Sequence, residues 1–137
     1  MGVYEIGGPS DFVLKYSDGS YRLVELERPS KLLATRRGEP RAEVNQAAFQ
    51  IAEWRAYIAN HYHLIKQDFA GISTRQSAMI VISRSTAEAF GGDRDRRLYK
   101  EILSTQYPSI DIVTYDELLE RARQAYGRIA SLAISAL

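Results

Sequence analysis

The sequence predicts an α/β domain with a mixed β-sheet flanked by helices, and three observations lead there. Two alternating stretches, Asp11–Tyr16 and Tyr21–Glu27, surround a Ser17-Asp18-Gly19-Ser20 turn; alternation of period two with a turn signal between reads as a β-hairpin. Ala78-Met79-Ile80-Val81-Ile82 is a continuous apolar run, the pattern of a strand buried on both faces. Elsewhere apolar residues recur three and four apart, which is helical spacing. A hairpin followed by α-β-α-β-α describes helices layered on a sheet.

Size and charge bound the rest. The chain has 137 residues, 45% of them hydrophobic and 26% charged, which is one ordinary globular domain. Lys plus Arg number 18 and Asp plus Glu 17, for a formal charge of +1, so any basic surface for nucleic acid must come from local clustering. Cysteine is absent, which excludes disulfides, thiolate zinc and a cysteine nucleophile. No secretory leader is visible, and the apolar tail Ile129–Leu137 is about half a bilayer span. The expected setting is cytoplasmic, with no membrane partner.

In chain order, Gly7-Gly8 and Pro9 punctuate the start, so a strand near Tyr4 is only weakly patterned. After the hairpin, Arg28-Pro29 ends the ladder because proline has no N–H to donate. Ser30–Pro40 is a polar connector with Lys31, Arg36 and Arg37, and Arg41 just beyond. A long helix is expected from Ala42 into the Tyr57–Tyr62 region, with Val44, Ala47, Ala48, Ile51 and Ile58 on one side. Gln67–Ser77 reads as loop and 78–82 as the buried strand. Gly91-Gly92 precedes a charged helix from Asp93 to Thr105, stopped by Pro108, and Ile110–Val113 is a further strand. Thr114-Tyr115-Asp116-Glu117 matches a capping box, with Glu117 reaching back to the Thr114 backbone. The last helix runs to Ser131 or beyond.

The hairpin carries the candidate chemistry. A three-residue loop Ser17-Asp18-Gly19, with Gly19 in a bulge, pairs Tyr16 with Ser20. Counting outward, Asp11 faces Glu25. Asp11, Val13, Glu25 and Glu27 then share one side, while Phe12, Leu14, Tyr16, Val24 and Leu26 form the apolar side. Loops of two or four residues would scatter both sets. Two carboxylates about 4 Å apart repel by roughly 4 kcal/mol at an effective dielectric of 20, so something cationic must compensate. A hard divalent ion suits oxygen ligands of this kind, with the Leu26 carbonyl as a third donor, and Mg²⁺ there would retain waters for a phosphate and a nucleophile. The competing reading has Asp11 and Glu25 solvated, or paired with Arg28, Arg36 or Arg37. On the following helix, Glu43, Gln46 and Gln50 stack along one stripe extended by Trp54 and Tyr57. A glutamine there holds a water or a phosphate oxygen; the alternative is a polar stripe facing solvent.

These residues resemble the PD-(D/E)xK nuclease superfamily, and more narrowly the nuclease domain of Shedu, a bacterial antiphage defence protein. The resemblance rests on P-S-D-F-V-L-K-Y-S-D-G, V-E-L-E-R-P-S and E-V-N-Q-A-A-F-Q-I-A-E-W-R-A-Y, continues through A-M-I-V-I-S-R, and ends in T-Y-D-E-L-L-E-R-A-R. It implies a restriction-endonuclease-like core over residues 1–137, a Mg²⁺- or Mn²⁺-dependent DNA endonuclease, and Asp11 and Glu25 as metal ligands. Gln46 would then position water or phosphate. Two departures stand out. Glu27 occupies the position where the pattern expects lysine, whose positive charge steadies the phosphorane; Glu27 would instead assist the metal or act as a base, or the charge would come from Lys15, Arg28 or Lys31. Lys15 is poorly placed, about 13 Å along the strand from Asp11. Only ten residues precede Asp11, so the superfamily's opening helix is expected upstream in a longer protein or left out.

Other candidates weigh less. His61 and His63 diverge by about 200° on a helix, which argues against a shared metal. Arg36, Arg37 and Arg41, with Arg28, adjoin the acidic side and are the better phosphate contacts; Asp93–Arg97 reads mainly as a solvated helix start. On the closing helix Leu118, Leu119, Ala122 and Ala125 are expected in the core. Ile129, Leu132 and Ile134 are apolar on too many sides for a free end, which points to a homo-oligomer contact or to packing on the same domain. A nuclease-derived module that binds nucleic acid or assembles subunits without cutting is the alternative function, and a ligand-free structural domain the third.

Overall fold

The structure is a computed structural model that describes residues 2–4, 12–86, 88–92 and 95–136. The hairpin turn forms as its residues require. Tyr16 N–H donates to the Ser20 carbonyl at 2.9 Å and Gly19 N–H to the Tyr16 carbonyl at 3.0 Å. Gly19 takes φ +85°, and a Cβ there would sit 2.8 Å from Arg75 Nη1. Asp18 closes the turn by accepting from the Ser20 N–H and hydroxyl at 2.9 and 2.6 Å. Strands β2 (Phe12–Lys15) and β3 (Tyr21–Leu26) therefore pair Phe12 with Val24, Val13 with Leu23, Leu14 with Arg22 and Lys15 with Tyr21, the register expected from a three-residue loop.

The sheet has five strands in sequence order. Strand β1 (Gly2–Tyr4) runs antiparallel along β2, so the weakly patterned start does form an edge strand. Strands β4 (Gln76–Val81) and β5 (Ile110–Val113) add parallel to β3. Helix α1 (Ala42–Ile65) carries the chain from β3 to β4, and α2 (Arg96–Gln106) from β4 to β5. Both cover one face and bury Val13, Tyr21, Leu23, Ile51, Trp54, Ile80, Tyr99 and Leu103 together. Helix α3 (Tyr115–Ser135) leaves along the other face, where Tyr115 and Leu118 meet the smaller Val24–Met79–Val81–Val113 cluster.

Several expectations are corrected. The segment Gln67–Ser77 is not all loop: β4 starts at Gln76, because Tyr21 and Arg22 extend β3 far enough to pair with Gln76 and Ser77. Helix α1 reaches Ile65, past a non-helical residue at His61 (φ −122°, ψ 17°). Helix α2 begins at Arg96, since Asp95 is its cap, accepting from the N–H groups of Arg97 and Leu98; Asp93 lies outside the described residues. Thr114 caps α3 by accepting from Glu117 N–H, but the Glu117 carboxylate goes to Lys100 Nζ at 3.0 Å rather than back to the Thr114 backbone. The two sides of the hairpin also exchange weight. The side of Val13, Leu23 and Glu25 faces the main core, while Leu26 on the supposed apolar side is 38% exposed, because the paired helices α1 and α2 cover one face and α3 touches the other only at its start. The closing helix buries no residue at all, and Leu119 is 51% exposed.

Candidate functional site

Three parallel strands end level with one another: Leu26 pairs with Val81 and Val81 with Val113. The connections to α1, α2 and α3 all leave from this edge, so all three helix N-termini open there. Ligands of α/β sheets gather at such carboxyl edges, and helix N-termini carry partial positive charge.

Glu25 stands one row inside that edge, in line with Ile80 and Ile112. It is 4% exposed on the side covered by α1. The reading of Glu25 as a solvated surface carboxylate is thereby set aside: burying a charge costs several kcal/mol unless something compensates it. Asp11, the other half of the expected pair, lies outside the described residues; the last described pair before it is Phe12 with Val24. Glu27 is half-buried just past the strand, where its N–H donates to the Val81 carbonyl at 2.8 Å and its carbonyl accepts from the Tyr115 hydroxyl at 2.5 Å. The next carbonyl, of Arg28, accepts from Lys31 N–H (3.1 Å) and Ser83 N–H (3.4 Å). Ser83 is buried with φ +68°, a left-handed conformation rare for serine. These bonds fix the backbone of 27–28 against the ends of β4 and α3.

Of the cations considered as substitutes for a lysine, Lys31 faces Glu43 at 3.6 Å and Lys15 lies over the Tyr21 ring at 5.9 Å, away from the edge. Arg28, Arg36 and Arg37 are exposed and Arg41 half-buried. Arg36 and Arg41 share a cleft, which Arg28 and Arg37 do not line.

The α1 stripe splits. Gln46 is exposed, whereas Gln50 turns inward with Oε1 buried and without a hydrogen-bond partner among the described residues, as is Trp54 Nε1 one turn on. Gln50 is the glutamine nearer the core face. Its spacing from the buried Ala47, Ile51 and Trp54 was the available signal. Among the described residues no group of three or more His, Cys, Asp or Glu gathers to hold a metal. His61 stacks on Tyr57 at 4.4 Å and bonds its carbonyl at 3.0 Å, while His63 is exposed, so the two do not converge. No helix among the described residues is long and apolar enough to cross a membrane.

Residues 2–119 match the family model described as Shedu protein SduA, C-terminal. The chain belongs to this family. The match takes in the hairpin, the connector from β3 to α1, α1, α2 and all five strands, and stops five residues into α3. Membership in the Shedu family carries the association with antiphage defence that the resemblance implied. No curated protein and no solved structure matches the chain.

Proposed function

We propose that this Shedu-family domain is a PD-(D/E)xK-type endonuclease that hydrolyses DNA phosphodiesters with Mg²⁺ or Mn²⁺ in the cytoplasm. The observation that supports this most is the pairing of Phe12 with Val24. It is the register in which counting one residue further brings Asp11 to Glu25, and Glu25 is a buried carboxylate at the carboxyl edge of the sheet. A divalent cation held by Asp11 and Glu25 would offset the charge of the two carboxylates and polarise the scissile phosphate. Glu27, half-buried two residues beyond Glu25, accepts a proton from the attacking water. A glutamine of α1, Gln46 or the inward-turned Gln50, orients that water. Arg28 and Arg37, exposed on the connector, hold flanking phosphates without reading sequence, while Arg36 and Arg41 line a cleft of their own.

The test is nicking of supercoiled plasmid in Mg²⁺ or Mn²⁺. Asp11→Asn and Glu25→Gln are expected to abolish it while retaining the parental circular dichroism. Failure of the full-length protein to cut across metals and DNA forms would reject the reading.

Glu27 supports a second reading, a nuclease-derived module that binds DNA without cutting, because a carboxylate cannot supply the lysine's positive charge. Calorimetry separates them: the enzyme requires a Mn²⁺ site lost in Asp11→Asn, and the binding module requires none.

For assembly, the observation is α3. Leu118, Ala122, Ala125, Ile129, Leu132 and Ala136 recur at alternating steps of four and three, a heptad seam, and Ile129 and Leu132 are 65% and 71% exposed. A second copy of the same seam is its proposed partner.

A further inference from the structure

The connector between β3 and α1 and the loop before α2 enclose a cleft of about 680 Å³, within the range of roughly 300–1,000 Å³ typical of small-ligand sites. Its walls are pinned: the N–H groups of Leu33 and Ala34 both donate to the Ala89 carbonyl at 2.9 and 3.0 Å, and Arg41 N–H donates to the Leu33 carbonyl at 2.9 Å. Tyr99 adds its hydroxyl to that same carbonyl at 2.8 Å.

The lining divides by chemistry. Arg36, Arg41 and Glu88 line it together with the apolar Leu32 and Ala34. The described lining therefore carries one net positive charge. Arg41 Nε is buried and meets no hydrogen-bond acceptor among the described residues, and a buried donor left unmet costs about 1–3 kcal/mol. Gly91 and Gly92 complete the rim at φ +81° and +97°, and a Cβ on Gly92 would meet nothing within 4 Å, so the rim is backbone that a ligand can approach closely.

Two guanidiniums forming planar forks suit a phosphomonoester. The aliphatic Leu32 and Ala34 suit the face of a base, and the carboxylate of Glu88 accepts from ribose hydroxyls or an exocyclic amine. We propose that this cleft binds a mononucleotide. A continuous duplex needs an open track, whereas this cleft has bounded volume. The assignment is independent of the metal-dependent reaction, since none of Asp11, Glu25 or Glu27 contributes to the cleft.

The experiment is calorimetric titration of the metal-free protein with AMP, GMP, ATP and inorganic phosphate, repeated in Arg36→Gln and Arg41→Gln. The proposal expects saturable nucleotide binding without divalent cation, weakened at least tenfold in each variant. Arg36 is exposed, so Arg36→Gln keeps the fold even if Arg41→Gln does not. Absence of nucleotide binding at millimolar concentration, equal binding of inorganic phosphate, or nucleotide affinity unchanged in Arg36→Gln would each overturn it. A protein that fails to cut DNA yet binds nucleotide would leave this site standing and reject only the nuclease.

Discussion

Glu25 lies directly alongside Ile80 in the parallel register of β3 and β4, so a carboxylate occupies a row that is otherwise hydrocarbon from β3 to β5. Buried carboxylates are poor stabilisers and are retained where they do something else. Glu25→Gln keeps the shape of the side chain and removes its charge. It is expected to leave the urea midpoint close to the parent while removing Mn²⁺ binding and plasmid nicking. A large fall in stability with nicking intact would assign Glu25 a structural role alone.

The hairpin register depends on Gly19. Alanine there must hold φ +85° and push against Arg75. Gly19→Ala is expected to cost about 1–2 kcal/mol in urea unfolding, and to lower nicking more than that loss explains, because a shifted turn moves Asp11 relative to Glu25. Unchanged stability would contradict the turn described here.

The pH behaviour of the same turn is specific. The hydrogen bonds from Ser20, its hydroxyl first, hold the Asp18 carboxyl below its usual value of 3.8. A depressed folded-state value means a contribution fully present above about pH 4 and lost as pH falls through the lower folded value. NMR titration should show Asp18 moving up toward the ordinary range in Ser20→Ala, and no movement would contradict the assignment.

Tyr99 links α2 to the connector that carries the arginines. Burial, with a smaller contribution from Tyr107, pushes its phenol up to about 12. A raised folded-state value leaves its contribution intact below about pH 10 and removes it as pH climbs toward 12, the unfolded chain ionising first. Ultraviolet titration should find a tyrosine ionising near pH 12 and lose that step in Tyr99→Phe. The same variant forfeits the bond to the Leu33 carbonyl, at a cost of about 1 kcal/mol.

The α3 seam has its own test. Ile129→Asp with Leu132→Asp places charges on exposed positions, so it is expected to keep the parental circular dichroism and to reduce the mass seen by light scattering to that of one chain. A parent protein that is already monomeric would reject the seam as an interface.

Much of this was legible from letters because local chemistry dominates where the chain turns. Gly19 demanded its bulge, Thr114 its cap, and the apolar run at 78–82 its central strand. The faces were less legible. Tyr21, Leu23 and Glu25 alternate with Arg22, Val24 and Leu26 as two nearly equal sets, and which set lies deeper is decided by α1 and α2 stacking on one side. The same packing turned Gln50 inward and left Gln46 outside, a difference that the spacing of Gln50 from Ala47, Ile51 and Trp54 signals. Leu119 was expected in the core because an apolar helix residue usually has a partner; here α3 departs from the sheet after its first turns.

The most direct test of the central claim is anomalous diffraction from crystals soaked in Mn²⁺. The account predicts a peak coordinated by both Asp11 and Glu25 at the carboxyl edge of the sheet. Carboxylates directed to opposite sides of the hairpin, with no peak between them, would contradict it.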